Sequence, residues 1–157
     1  DGYATAIVMM GSEPSRWAPT NRETADHSLP YCIAIALIDG AVTRASFADA
    51  RLRDPAVAAL MRKVKVAEDP ALSAMYPEGA PGRVTLRMKS GATHVAEVRY
   101  PKGHEKSPMT DEEIERKFRE LGAERLDAGR CDKALEALWQ LERVDDAGKV
   151  TALFAEQ

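Results

Sequence analysis

The sequence predicts an α+β fold: a small mixed domain with a β-hairpin-containing sheet packed on a buried helix, followed by C-terminal helices. Three observations predict it. Residues 29–38 are almost wholly apolar, alternating apolar and polar residues flank a Ser90-Gly91 turn, and a charged helical pattern follows. We expect residues 1–109 to form the small domain and residues 110–157 to form the C-terminal helices.

Composition and charge exclude several classes of protein. The chain of 157 residues has a net charge of -3 with both signs mixed, which argues against a nucleic-acid partner. Its longest apolar run is well short of the roughly 20 residues that span a bilayer, and no signal peptide is visible. We therefore expect a cytoplasmic protein with no membrane partner. Two cysteines are too few for a disulfide framework, a cysteine-ligated zinc site or an iron–sulfur cluster, so the sequence predicts no metal and no cofactor.

The amino-terminal quarter is predicted to be partly helical. Residues 3–10 favour a short helix, with a strand as the alternative, and Gly11 is placed to end it in the left-handed conformation. Residues 12–25 are interpreted as a polar connection.

The apolar segment is predicted to be the central helix of the domain. Ser28 is a suitable N-cap, Pro30 falls in the first turn, and Gly40 is a stop signal. A helix that is apolar on all sides is normally buried on all sides. We therefore expect this helix to be covered all round.

Further elements follow from local signals. Residues 47–63 predict one or two helices, the second restarting at Asp54-Pro55, and residues 64–66 are a candidate short strand. The hairpin pairs residues 83–89 with residues 93–100 and places His94 on its apolar face, where it is interpreted as a packed or rim residue.

Three helices are predicted towards the carboxyl end. Thr110 and Glu113 form a capping-box pattern, and Glu113 is expected to pair outward with Lys117. A second helix is predicted over about 131–143, and a third from Asp145. Because a sheet of two or three strands is thin cover for a buried helix, we expect upstream sequence or a partner chain to supply the missing layers. The absence of an initiator Met likewise indicates a processed product, a trimmed chain or a fragment.

Several ordered stretches resemble one protein family, the MmgE/PrpD family. The segment reading NRETADHSLPY, residues 21–31, followed by residues 34–40, resembles that family's RETADHSLPY…ALLDG. The other matching stretches are Glu68-Asp69-Pro70, residues 88–91, residues 100–104 (Tyr-Pro-Lys-Gly-His), and the helix that opens at Thr110 and ends near Gly122. The resemblance covers essentially the whole chain.

The resemblance implies the C-terminal portion of a two-part enzyme. Family members combine a large all-helical domain with a smaller α+β domain, act as 2-methylcitrate dehydratase-like hydro-lyases on a tricarboxylate or related small carboxylic acid, and use no iron–sulfur cluster. We expect the absent all-helical domain and a second copy of the chain as partners. The family's upstream lysine and histidine are missing, so we expect the isolated chain to be inactive. The alternatives are decarboxylase or epimerase activity, or a non-catalytic binding and assembly subunit with the same fold.

The start of the central helix is the principal candidate site. Free N–H groups at a helix amino end favour a carboxylate, and a histidine exchanges protons near neutral pH. We interpret His27 as the catalytic acid–base group, with Asp26, Ser28 and Tyr31 as substrate-binding residues and Asp26 orienting His27. The alternative is structural: Ser28 caps the helix, His27 bonds neighbouring backbone, and Tyr31 packs in the core.

A second candidate group lies in the loop after the hairpin. Lys102 is placed to pair with a substrate carboxylate, and His104 to donate to it. The alternative is a strand-ending turn with solvated side chains. Trp17 either anchors its loop or faces the substrate cleft, and the sequence does not distinguish the two.

Overall fold

The computed structural model describes residues 1–155, which divide into two compact units, Asp1–Pro101 and a unit that begins at Lys102. The first unit combines helices with a two-stranded antiparallel sheet, and the second is helical, so the predicted α+β class is confirmed. The elements of the first unit are α1 (Ala4–Met10), α2 (Pro14–Trp17), α3 (Arg22–Asp26), α4 (Leu29–Asp39), a 3₁₀ helix (Arg44–Phe47), α5 (Asp49–Leu52), α6 (Pro55–Met61), α7 (Pro70–Ser73), β1 (Gly82–Arg87) and β2 (Thr93–Val98).

The amino-terminal region is more helical than predicted. Helix α1 is confirmed, but Gly11 ends it with φ −139°, outside the left-handed region. The prediction of a polar connection over residues 12–25 is wrong, because this segment contains α2 and most of α3. Asn21 begins α3 by accepting a hydrogen bond from the backbone of Thr24, whose side chain bonds back to the backbone of Asn21.

Helix α4 begins and ends where predicted. The hydroxyl of Ser28 accepts from the backbone N–H of Tyr31, and Pro30 lies in the first turn. Gly40 ends the helix with φ 76°, a conformation that glycine adopts without steric cost.

The core of the first unit is built from helices. It contains Tyr31, Ala34 and Ile35 of α4, together with buried residues of α3 and α6. The described hairpin contributes no residue to this cluster, so other helices, rather than the sheet, cover α4. The described chain does not cover α4 on every side, since residues 36–38 near its carboxyl end are exposed.

The segment around α6 follows the prediction in part. Asp54 begins α6 by accepting from the backbone N–H of Ala56, so the restart at Asp54-Pro55 is confirmed. Residues 64–66 form no strand.

The hairpin has the predicted topology. Strands β1 and β2 pair in an antiparallel register that sets Leu86 opposite His94, and Gly91 in the turn has φ 88°. Strand β2 is exposed throughout, so His94 is a surface residue rather than a packed one. At the other end of β1, Asp1 and Arg83 exchange two backbone hydrogen bonds of 2.7 and 2.9 Å.

The second unit contains three α-helices and a 3₁₀ helix within its described residues. They are α8 (Asp111–Gly122), α9 (Ala128–Trp139), the 3₁₀ helix (Leu141–Arg143) and α10 (Ala147–Ala152). The capping box of Thr110 and Glu113 is confirmed. Phe118 packs edge-on against Phe154, with 6.2 Å between ring centroids. No helix in residues 1–155 combines the length and the apolar character needed to cross a membrane.

Candidate functional site

The first feature of the candidate site is a pairing of His27 with Asp26 at the end of α3. The Nδ1 atom of His27 lies 2.5 Å from Oδ1 of Asp26 and 3.1 Å from the backbone carbonyl oxygen of Glu23. Both neighbours are acceptors when the carboxyl group is ionised, so Nδ1 carries the proton that it shares between them. The lone pair of neutral His27 is therefore on Nε2.

The environment of His27 suits a group that exchanges protons. Its side chain is 52% exposed. The hydrogen bond that His27 donates to the carboxylate of Asp26 is the largest cause that raises the pKa of His27 above 6.5, followed by the hydrogen bond to the backbone carbonyl of Glu23 and the negative charge of Asp26. The charge of Arg16 opposes the shift. Asp26 thus stabilises the imidazolium form of His27.

Polar groups at the amino end of α4 are partly taken up by partners within the chain. Ser28 is fully buried, and its hydroxyl donates to the backbone carbonyl of Arg16 while accepting from Tyr31. Pro30 has no N–H to offer. Of the N–H groups expected to face an acidic ligand here, that of Tyr31 is therefore taken by Ser28 and residue 30 has none, while ligand binding at this helix end stays a prediction.

Tyr31 is a packing residue in the first unit. Only 1% of it is exposed, its hydroxyl donates to the carbonyl of Ser46 at 2.6 Å, and its ring lies 6.0 Å from that of Phe47. Burial is the largest cause that raises the pKa of Tyr31. Burial of Ser28 and Tyr31 argues against contact with a substrate, so of the four residues predicted here only Asp26 and His27 remain accessible.

The second predicted group lies in the second unit. The ammonium group of Lys102 is 2.8 Å from Oε2 of Glu113 and 3.2 Å from the carbonyl oxygen of Pro108. The hydrogen bond that Lys102 donates to Glu113 is the largest cause that lowers the pKa of Glu113. Lys102, rather than Lys117, is therefore the ion-pair partner of Glu113, because the turn after Lys102 brings it back to the start of α8. The Nδ1 atom of His104 accepts from the backbone N–H of Lys106 at 3.1 Å, which indicates a turn-stabilising role.

Trp17 fulfils the first of the two roles considered for it, that of an anchor, while a place in the substrate cleft stays a prediction. Its indole N–H donates to the carbonyl of Gly11 at 2.9 Å and so anchors the segment between them. Its ring also lines an open cavity of about 500 Å³ next to α5 and α6. Neither Asp26 nor His27 lines that cavity.

Two residues that contribute to the candidate site, Glu23 and Arg16, were not predicted from the sequence. Glu23 supplies a carbonyl to His27, and Arg16 supplies a carbonyl to Ser28 and a charge near His27. Glu23 lies four residues before His27, a spacing that brings the two together on a helix, so recognition of α3 would have found it. Within residues 1–155 no group of three or more His, Cys, Asp or Glu side chains is arranged to hold a metal ion.

Comparison with known proteins supplies the family. The profile of the MmgE/PrpD C-terminal domain matches residues 2–141. The chain belongs to the MmgE/PrpD family. The human cis-aconitate decarboxylase is 27% identical over 139 residues, which is 86% of this chain and 28% of that enzyme. The 2-methylcitrate dehydratase of Escherichia coli is 37% identical over 90 residues, or 54% of this chain and 18% of that enzyme. That of Cupriavidus necator is 30% identical over 92 residues, 55% of this chain and 19% of that enzyme.

These matches confirm the family that the sequence motifs indicated. The MmgE/PrpD relatives named above are enzymes, and they include both a dehydratase and a decarboxylase. The chain spans less than a third of the length of the relatives it matches.

Proposed function

We propose that the chain is the C-terminal domain of a lyase that acts on a small carboxylic acid, with 2-methylcitrate dehydratase-like chemistry as the first candidate. In the complete protein His27 transfers a proton to or from the substrate. One observation carries this proposal: an exposed histidine is held at Nδ1 by a carboxylate and a backbone carbonyl, which leaves Nε2 as the reactive atom.

The chemistry follows from that arrangement. In a dehydration, neutral His27 takes the proton from the carbon next to a carboxylate, the electron pair forms the double bond, and the hydroxyl leaves as water with a proton from an acid. Asp26 stabilises the positive charge that develops on His27. The acid and the groups that clamp the carboxylates belong to the rest of the polypeptide.

Decarboxylation is the second candidate reaction. It is favoured by the length of the match to human cis-aconitate decarboxylase, which covers 86% of the chain. The match to the E. coli dehydratase has a higher identity but covers only 54% of the chain. In this reaction protonated His27 delivers a proton to the carbon that has lost carbon dioxide. The raised pKa of His27 suits this acid role, because more of the imidazolium form is present near neutral pH.

The partners proposed for the domain are the all-helical domain of the same protein and a second copy of the chain. Leu37, Ile38 and Val42 are exposed apolar residues close together in sequence at and after the carboxyl end of α4, and together they are called the apolar patch here. A patch of this kind is typical of a surface that another domain or subunit covers.

The proposal is tested in the complete polypeptide, with 2-methylcitrate and cis-aconitate as separate substrates. We expect His27→Gln to lower kcat by about 100-fold or more, the usual contribution of an acid–base group. Asp26→Asn should lower kcat less and shift the pH profile. His94→Gln is the matched control, since this exposed hairpin histidine should leave kcat within about twofold of the wild type.

Two outcomes would contradict the proposal. If His27→Gln leaves kcat unchanged, His27 is not the proton-transfer group. If the complete polypeptide turns over neither acid nor other small carboxylic acids, the chain is a binding or assembly subunit that keeps the family fold.

A further inference from the structure

The cavity beside Trp17 lies apart from the Asp26–His27 pair and has a defined chemical character. It has a volume of about 500 Å³ and is bounded by the end of α2, the segment that leads into α3, and helices α5 and α6. This volume falls within the roughly 300–1,000 Å³ range typical of small-molecule sites. The cavity is therefore large enough for a ligand of modest size.

The charged residues of its wall leave an excess of positive charge. Arg53 and Arg62 line the cavity together with one acidic residue, Asp49. The guanidinium of Arg53 is 3.2 Å from the carboxylate of Asp49, and both side chains are more than three-quarters exposed, so this pair exchanges readily with other partners. Arg62 makes no ion pair among the described residues. Two guanidinium groups against one carboxylate match a ligand with a single negative charge.

The rest of the wall is mainly apolar. Trp17 and Leu52 are the largest apolar side chains in it, and Thr20 adds a hydroxyl. The hydrogen bond from the Trp17 indole to Gly11 holds the ring in place before any ligand arrives. A preorganised aromatic wall lowers the entropic cost of binding an apolar group.

We propose that this cavity binds a monocarboxylate that carries an apolar body. The carboxylate pairs with the guanidinium of Arg62, which offers parallel N–H donors to both oxygens. The apolar body packs against Trp17 and Leu52. Asp49 disfavours ligands with further negative charges, so a tricarboxylate is a poor fit.

This inference goes beyond the proposed function and does not depend on it. Asp26 and His27 are absent from the cavity wall. The loss of activity expected from His27→Gln therefore leaves ligand binding at the cavity unaffected, and the two proposals fail separately.

The test uses the 157-residue chain with phenylacetate as the probe and phenylacetamide as its uncharged counterpart. The chain has two tryptophans, so Trp139→Phe leaves the indole N–H of Trp17 as the single tryptophan signal in ¹H–¹⁵N spectra. We expect this signal to shift saturably with phenylacetate, to shift less with phenylacetamide at equal concentration, and to shift less with phenylacetate as salt is added.

Charge variants locate the contact. Arg62→Gln should weaken phenylacetate binding by about three- to tenfold, the effect of losing one partly exposed charged contact. Lys63→Gln is the matched control, because it removes the same charge from the next residue, which does not line the cavity, and should change the affinity by less than about twofold. Arg62→Lys keeps the charge but loses the parallel donors, so its affinity should lie between those of the wild type and Arg62→Gln, which guards against an effect of misfolding.

Three results would overturn the proposal. They are equal binding of phenylacetate and phenylacetamide, equal weakening by Arg62→Gln and Lys63→Gln, and the absence of a saturable shift at Trp17. The first shows a purely apolar cavity, the second a diffuse effect of net charge, and the third no site at all.

Discussion

The hydroxyl of Tyr31 donates a 2.6 Å hydrogen bond to the backbone carbonyl of Ser46, and both residues are buried. This bond ties the core helix α4 to the 3₁₀ helix beside it. Tyr31→Phe removes the donor and leaves the carbonyl of Ser46 without this partner, so we expect the free energy of unfolding to fall by about 1–2 kcal/mol. Urea unfolding followed by circular dichroism measures the change.

The control for this prediction is Tyr76→Phe. Tyr76 is exposed and stacks on Tyr3, a contact between rings that phenylalanine retains. We expect a change below about 0.5 kcal/mol. Equal effects of the two substitutions would show that the Tyr31–Ser46 bond contributes little.

The Asp26–His27 pair predicts a pH dependence. Because Asp26 raises the pKa of His27 above 6.5, Asp26→Asn should lower that pKa, as measured by NMR titration of the imidazole signals. The pair contributes stability below the unfolded value of 6.5 and loses it as pH rises through the raised value in the folded state. Wild type and Asp26→Asn should therefore differ most in mildly acidic solution and converge at alkaline pH. An unchanged titration curve for His27 in Asp26→Asn would contradict the pairing.

The ion pairs of Arg83 predict a stability that is lost at low pH, the opposite of the dependence expected for the Asp26–His27 pair. The guanidinium of Arg83 bonds Oε2 of Glu97 at 2.9 Å and Oδ2 of Asp69 at 2.6 Å. Its hydrogen bond is the largest cause that lowers the pKa of Glu97 below 4.5. The resulting stability is present above that ordinary value and is lost as pH falls through the folded-state pKa. We expect Arg83→Gln to be less stable than wild type at neutral pH and to converge with it in acid.

Arg87→Gln provides the control for Arg83, since Arg87 lies on the same strand and is exposed. Its stability should follow the wild type at every pH. A difference between Arg83→Gln and wild type that persists unchanged at pH well below 4.5 would show that packing, rather than charge, sets the effect.

A close approach between Gly122 and Cys131 predicts a steric effect in the second unit. A β-carbon at Gly122 would lie 2.8 Å from the sulfur of buried Cys131. We expect Gly122→Ala to destabilise the chain by about 1–3 kcal/mol through overpacking, although alanine is the better helix former. Thermal unfolding of Gly122→Ala, Cys131→Ala and the double variant measures the coupling.

The double variant should recover most of the loss, because the clash needs the sulfur. Gly82→Ala is the control, as a β-carbon there meets nothing within 4 Å. A double variant as unstable as the sum of the two single variants would contradict the contact.

The exposed patch of Leu37, Ile38 and Val42 predicts self-association of the chain. In sedimentation velocity the average mass should rise with concentration, because apolar patches of this kind associate. The double substitution Leu37→Lys and Ile38→Lys should abolish the rise while the circular dichroism spectrum stays the same. Val8→Lys, at an exposed position of α1, should not abolish it. A wild-type chain that remains monomeric at all concentrations would count against a covered patch.

Local chemistry explains which parts of the fold could be predicted. Ser28 and Gly40 bound α4 through contacts with their own backbone neighbourhood, so the sequence alone was sufficient. Helix α3 was missed because five residues offer too little periodicity, and its capping pair of Asn21 and Thr24 is a less common signal than Ser or Thr followed by Glu. Recognition of α3 would also have predicted the bond from His27 to the carbonyl of Glu23.

Contacts beyond the local sequence account for the remaining differences. The apolar character of Leu37 and Ile38 indicates side chains that favour burial. It does not reveal whether residues of this chain or of another domain or subunit pack against them. Lys102 pairs with Glu113 because a turn reverses the chain between them, and spacing along a helix cannot reveal such a pair. Burial of Ser28 depends on the carbonyl of Arg16, which belongs to a helix that the sequence reasoning did not recognise.

The two backbone bonds between Asp1 and Arg83 have a practical consequence. Anything joined ahead of Asp1 is directed antiparallel to Val84 and Leu86, along the side of β1 that faces away from β2. An affinity tag fused at the amino terminus would thus be delivered to an open sheet edge, where strand addition and polymerisation begin.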